Sequence, residues 1–210
     1  ACAKHFAGDG MAEAGRDYNT VNIGEYELHN TVLPPFKAAA AAGVATFMNS
    51  FNEIDGIPST ANKMLQRDML KGEWGWDGFM VSDWGSIGEM MAHGYAKNKK
   101  HAAEIALNAG SDMDMESYAY EEHLENLLKE NKISIAQIDD AVKRVLRVKF
   151  RLGLFDDPYK YCDEDREKND VYTKEHLALA RDVAKKSIVL LKNQNKLLPL
   201  SKTIKSIAVI

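Results

Sequence analysis

The sequence predicts an α/β fold with a parallel sheet, and three observations carry that expectation. Short apolar runs alternate with helix-like runs from residue 1 to about 116, those apolar runs end in polar residues, and the pattern turns helical beyond residue 116.

The strand-like runs are Cys2 to Phe6, Val44 to Phe51, Phe79 to Asp83 and the weaker Gly110 to Met115. Between the first two, Glu25 to Asn30 and Phe36 to Ala42 are helix-compatible, and Pro34-Pro35 supplies a break or a fresh helix start. Between the second and third, Ser59-Thr60 can cap a helix running toward Trp74, with Met64, Leu65, Met69 and Leu70 on its apolar face. Ala102 to Ala109 precedes the fourth run. Units of about 30 to 45 residues fit right-handed strand–helix–strand crossovers. Four such units cannot close a (β/α)8 barrel of about 250 residues, so the expectation is the C-terminal half of a TIM-like barrel, with the other units before residue 1.

Farther on, Ser134-Ile135-Ala136-Gln137 has the form of a capping box. Ile135, Ile138, Val142, Val145 and Leu146 follow at helical spacing until Gly153 ends the helix. The charged stretch 156–172, with Pro158, has the composition of a linker between domains. A second long helix, about Lys174 to Leu191, leads through Leu197-Leu198-Pro199-Leu200 to a strand-like run over Lys205 to Ile210, the start of another α/β unit. The chain begins without an initiator Met or leader and stops inside an apolar run. Since domains end in exposed polar segments, the expectation is a fragment of a longer protein.

Composition narrows the function classes. The 210 residues carry 27 Lys+Arg against 31 Asp+Glu, a net charge of −4 and 45% hydrophobic residues, which is globular and lacks a positive field for nucleic acid or a membrane surface. Every apolar stretch falls short of the roughly 20 residues that span a bilayer. Cys2 and Cys162 are expected to be unpaired thiols, no metal is expected, and His29, His93, His101, His123 and His176 show no mutual metal spacing.

Chemistry in a parallel α/β fold collects at the carboxyl ends of the strands, which here read Lys4-His5, Asn49-Ser50-Phe51-Asn52, Ser82-Asp83-Trp84 and Asp112-Met113-Asp114. A carboxylate beside an indole can attack a sugar whose C–H face packs on the ring, so Asp83 with Trp84 reads either as a glycoside site or as the cap of a helix from Ser86 to Ala92. Lys4 and His5 offer donors for vicinal hydroxyls, provided the backbone turns so that both reach one pocket. Their other reading is a core ion pair and a structural histidine. Lys4 could also serve as the amine of a Schiff-base lyase, and the whole pocket could bind carbohydrate without chemistry. Gly8-Asp9-Gly10 lacks a complete phosphate-loop pattern, and the acids Asp112, Asp114 and Glu116 lack the glycine and final Glu of a calcium loop.

The residues resemble glycoside hydrolase family 3, in particular its bacterial periplasmic β-glucosidase branch. The matching stretches are Lys4-His5-Phe6, Asp17-Tyr18-Asn19-Thr20, Leu33-Pro34-Pro35-Phe36, Phe47-Met48-Asn49-Ser50-Phe51-Asn52 with Asp55-Gly56-Ile57-Pro58, and Trp76-Asp77-Gly78-Phe79-Met80-Val81-Ser82-Asp83-Trp84-Gly85. Gly153-Leu154-Phe155 with Asp157-Pro158 looks like the family's barrel exit. Ser187 to Asn193 with Leu198-Pro199-Leu200 looks like entry into its α/β sandwich domain. The resemblance implies a barrel part over 1–155, a linker over 156–172 and the start of a sandwich domain over 173–210. It also implies retaining, exo-acting hydrolysis of β-glucosides without a cofactor, in a periplasmic or secreted location.

Carried over residue by residue, Asp83 is the expected nucleophile. Lys4 and His5 are expected to bind hydroxyls of the terminal sugar, Asp17 to brace that pair, and Met48 and Trp84 to line the pocket. The general acid/base is expected from the second domain beyond residue 210, with Glu89 as the candidate inside the chain. Phe51 stands where the family often has Tyr, which removes a hydroxyl that could orient Asp83. The absence of the loop histidine of the N-acetylglucosaminidase branch argues against amino sugars; β-xylosidase and N-acetylhexosaminidase are the alternatives within the family.

Overall fold

The strands of the computed structural model, which describes residues 1–208, are β1 (Cys2–Phe6), β2 (Thr46–Asn49), β3 (Glu53–Ile54), β4 (Ile57–Pro58) and β5 (Phe79–Val81). The first, second and fifth form a parallel sheet in the order β1-β2-β5, while β3 and β4 pair as an antiparallel hairpin. The fourth expected strand is reduced to a single parallel bridge between Val81 and Met113. Positive φ angles at Gly110 and Glu116 bracket that segment and keep it short. The chain falls into two units, Ala1–Lys160 and Tyr161–Ile210.

Helices cover one face of the sheet. Residues 25–41 form a continuous helical run made of α1 (Glu25–Glu27), a wide π-helical stretch at Leu28–Val32 and α2 (Leu33–Ala41). The widening sits directly ahead of Pro34 and Pro35, which have no N–H to donate and whose rings crowd the carbonyls four residues back. Proline therefore restarts the helix here without ending it.

The next helical stretch, Met64–Glu73, is also π-wound. Its N-terminal cap is Asn62, whose Oδ1 accepts the Leu65 N–H at 3.1 Å, and not the expected Ser59 and Thr60, which are drawn into a separate 3-10 turn at Ser59–Ala61. Leu65, Met69 and Leu70 are buried as expected, whereas Met64 is exposed and Gln66 points inward, donating to the Ser59 and Thr60 carbonyls at 3.0 and 3.1 Å.

Phe6, Phe47 and Met80 pack from the sheet into this helical layer. Edge-to-face ring pairs knit them to it, with centroids 5.1 Å apart for Phe6–Phe36 and 4.9 Å for Phe47–Trp76. The two-residue alternation of a strand puts Met48 on the other face of β2.

A second core gathers Ile87 of α3 (Ser86–Glu89), Ala102, Ala103, Ala106 and Leu107 of α4 (Lys99–Ala109), and Leu127 of α5 (Ala119–Lys129). Ala141 joins it from α6 (Ile135–Arg151), whose N-terminus carries the expected reciprocal capping box of Ser134 and Gln137. The inward face of α6 is rotated from the one the apolar spacing marked: Ala141 and Val148 are buried, Ile138 packs partly buried against the core and Val145 is half-buried, while Ile135, Val142 and Leu146 are exposed. Three arginines on α6 set that rotation by gripping the turn before β5. Arg144 donates to the carbonyls of Trp76 and Gly78, Arg147 to that of Asp77, and Arg151 pairs with the Asp77 carboxylate at 2.6 Å.

In the second unit, α7 (Glu164–Asp170) starts at Asp163, whose carboxylate accepts the Asp165 and Arg166 N–H groups; this helix lies inside the expected linker. The helix α8 (Lys174–Ser187), capped by Thr173, stops four residues short of the expected Leu191. Residues 205–208 carry no strand, and Val209 and Ile210 of the expected final run lie outside the described residues. Cys2 and Cys162 are free and exposed.

Candidate active site

The end of β5 is fixed by the segment that follows α4. Ser82 donates its N–H to Met113 O at 2.9 Å, Met115 N–H donates to Ser82 Oγ at 2.8 Å, and Gly85 N–H donates to Met115 O at 2.8 Å. Asp83 lies inside this frame. Gly85 then takes φ 68°, a left-handed conformation that glycine adopts without a Cβ clash, and heads α3. Asp83 does not cap that helix: its Oδ1 accepts the N–H of its neighbour Trp84 at 2.7 Å, leaving the indole exposed beside it.

Across the sheet, His5 reaches the same carboxylate. Its Nε2 lies 3.2 Å from Asp83 Oδ2 and its Nδ1 lies 3.1 Å from Asp9 Oδ2. The β1–β2 register shifts between Ala3 and Phe6, and the Lys4–His5 and Phe6–Ala7 peptides are cis. Lys4 is exposed and lines, with His5, Asp9 and Phe36, an open cleft of about 310 Å³.

The carboxylate against His5 is thus that of Asp9, not Asp17, because Asp17 is exposed and its Oδ1 accepts the N–H of Tyr18 at 3.0 Å. Tyr18 stacks on Phe51, with ring centroids 4.4 Å apart. Its hydroxyl is held above the ordinary phenol range by burial and by the charges of Glu89, Asp17 and Asp83. Glu89 is likewise pushed above the carboxylate range, first by burial, with His93 opposing and Asp83 and Asp17 adding to the rise. Its Oε2 is buried with no hydrogen-bond partner among the described residues. Met48 is half-buried on β2 and pairs with Val81 two residues before Asp83.

Most other polar residues at the strand ends brace the backbone. Ser111 Oγ lies 3.0 Å from both Asn49 Oδ1 and Gln66 Oε1, Ser50 N–H donates to Phe6 O at 3.0 Å, and Asn52 Nδ2 donates to Ala7 O at 3.2 Å. The acids after α4 are similarly engaged. Asp112 pairs with Lys71, Asp114 accepts the Ala119 and Tyr120 N–H groups at the start of α5, and Glu116 accepts from the Tyr118 hydroxyl. Among the described residues, Asp83 with His5 at its side, the exposed indole next to it, the exposed Lys4 and the unpartnered Glu89 carboxylate are left to meet a ligand.

Residues 1–148 match the family model described as the glycosyl hydrolase family 3 N terminal domain. The chain is 41% identical over 203 residues to the periplasmic beta-glucosidase of Salmonella typhimurium, covering 95% of this chain and 26% of that protein. It is 39% identical over 220 residues to a beta-xylosidase of Formosa agariphila, covering 100% of this chain and 30% of that protein. Among solved structures, the beta-glucosidase from Listeria innocua in complex with glucose aligns with a TM-score of 0.84 at 45% identity, over 96% of this chain and 27% of that one. The chain therefore spans between a quarter and a third of the length of these relatives.

Proposed function

The chain belongs to glycosyl hydrolase family 3, and from that premise we propose that the whole protein is a retaining, exo-acting β-glucosidase with Asp83 as its nucleophile. The observation that carries this reading is the position of Asp83: at a strand's carboxyl end, only 13% exposed, with one oxygen on a backbone N–H and the other facing His5. A carboxylate so held presents its remaining lone pairs in one direction, as nucleophilic attack requires.

In the first displacement an Asp83 oxygen forms a bond to the anomeric carbon while the bond to the leaving oxygen breaks and that oxygen takes a proton from the general acid. In the second, water loses a proton to the same group, attacks the anomeric carbon and releases Asp83. Lys4 and His5 bind hydroxyls of the terminal sugar, Trp84 offers its face to the ring's C–H groups, Met48 lines the floor and Asp17 adds a polar contact at the rim. The acid/base partner, about 5 to 5.5 Å from the nucleophile in a retaining enzyme, comes on this reading from the second domain. Glu89 is the alternative within the chain, supported by its raised pKa.

Residues 1–155 are read as barrel, a reading supported by the family model's match over 1–148, with 156–172 as linker and 173–210 as the start of the sandwich domain. The name of the Salmonella relative supports a periplasmic location, and among the described residues no helix is long and apolar enough to cross a membrane.

The test is hydrolysis of nitrophenyl β-glucoside by the whole protein and by Asp83→Asn. A loss of at least about a thousandfold is expected when the nucleophile is removed; a variant that keeps its rate overturns the assignment. The xylosidase relatives favour one second reading, for which the matching xyloside would be the faster substrate.

A further inference from the structure

The carboxylate of Asp9 has no part in the double displacement, yet it belongs to the most direct chain of contacts in the site. Asp9, His5 and Asp83 lie in series, with 3.1 Å between Asp9 Oδ2 and His5 Nδ1 and 3.2 Å between His5 Nε2 and Asp83 Oδ2. Side-chain exposure differs along the series, at 35%, 26% and 13%. A neutral imidazole has one N–H and one lone pair. A carboxylate at Nδ1 can only accept, so it selects the tautomer that carries its N–H there.

The turn that carries Asp9 is built and anchored. Gly8 takes φ 86°, and a Cβ there would lie 3.4 Å from Asn52 Nδ2 and 3.5 Å from Ile54 Cδ1. The carbonyls of Phe6 and Ala7 are held by Ser50 N–H and Asn52 Nδ2, and Met11 N–H closes the turn onto Gly8 O at 2.9 Å. The same buried asparagine and serine that follow β2 thus fix where Asp9 stands relative to His5.

We infer that Asp9 is a positioning residue for the nucleophile's surroundings: its carboxylate holds the His5 Nδ1–H and fixes the ring plane, so that the Nε2 edge of the ring stays against Asp83 Oδ2. With Trp84 N–H on Oδ1 and the imidazole edge against Oδ2, the carboxylate is confined on both sides. This inference rests on the glucosidase reading for its consequence, but not for the contact itself.

The experiment uses the whole protein, its Asp9→Asn and Asp9→Ala variants, and two readouts. Ring ¹⁵N and ¹³C resonances of His5 should move in both variants relative to the wild type, because the ring loses the contact that fixes its plane. The rate of nitrophenyl β-glucoside hydrolysis should fall on the order of 100-fold in kcat in both variants, with KM changed much less, as expected for a reacting group displaced by a fraction of an ångström to one ångström. Variants that keep the wild-type kcat overturn the inference. So does a rate loss in the variants that leaves the His5 resonances unmoved, since Asp9 would then only shape its turn. If the wild type hydrolyses no glycoside while Asp9→Asn still changes His5, the positioning contact stands and the glucosidase reading falls.

Discussion

Removing the cation from the buried pair of Lys71 and Asp112 tests how the frame around Asp83 is held. Lys71 Nζ lies 2.6 and 2.7 Å from the two Asp112 oxygens and 2.6 Å from Gly110 O, so all three of its protons are used. The side chains are only 5% and 1% exposed, and Asp112 Oδ2 also accepts the Met80 N–H at 2.8 Å. Burial dominates both titrations, pushing Lys71 down to about 8 against the pull of Asp112 and pushing Asp112 up. Lys71→Met leaves a buried carboxylate with one backbone donor and should cost about 3–5 kcal/mol. At roughly 2–4 °C per kcal/mol, the melting temperature should drop on the order of 10 °C.

Lys71→Met with Asp112→Asn removes both charges, yet the amide oxygen can still accept from Met80. The double variant should therefore recover to within about 1–2 kcal/mol of the wild type in urea titrations, because no buried charge is left unpaired. Between about pH 8 and the unfolded value of 10.5 the folded protein has released the Lys71 proton while the unfolded chain still holds it. The contribution of this group to stability therefore rises with pH across that window, relative to Lys71→Met. Single variants within about 1 kcal/mol of the wild type, or a double variant as damaged as the sum of the singles, would refute the reasoning.

A Cβ added at Gly78 would sit 2.2 Å from Ala45 O and 2.4 Å from the Trp76 ring, and the backbone oxygen cannot move aside. Gly78→Ala should cost about 3 kcal/mol or more by denaturant melt; a melt unchanged from the wild type would mean that β5 is not seated as described. Trp84→Ala leaves the fold intact, since the indole is exposed. It should raise KM for an aryl glucoside about 2- to 12-fold, the equivalent of one aromatic contact, and an unchanged KM would remove Trp84 from the pocket.

The three strands of the parallel sheet, β1, β2 and β5, were legible because each is a short apolar run ended by polar residues, whereas the β3–β4 hairpin was not; the α6 start was legible because Ser134 and Gln137 cap it through local chemistry. What escaped depended on contacts distant in sequence. The rotation of α6 is set by Arg144, Arg147 and Arg151 reaching a turn some 70 residues earlier, which outweighs the spacing of Ile135, Val142 and Leu146. Gln66 stands inward because a π-wound helix shifts its faces away from the 3.6-residue period. Asp83 as a helix cap was a fair local reading until Gly85 and Trp84 N–H took the geometry elsewhere.

Asp9 was missed for a different reason. Gly8-Asp9-Gly10 has the wrong pattern for a phosphate loop, but a histidine four residues before an aspartate across a glycine turn is a pairing that local geometry allows. Asp17 stands equally close to a motif in the sequence and turns to its own backbone instead.

The most direct test of the central claim is covalent trapping. The whole protein is incubated with a 2-deoxy-2-fluoro-β-glucoside bearing a good leaving group, then digested and mapped by mass spectrometry. A single glycosyl adduct on Asp83, absent in Asp83→Asn, is the predicted result. An adduct on Asp17, Glu89 or any other carboxylate, or steady turnover of aryl glucosides with no adduct on Asp83, would contradict it.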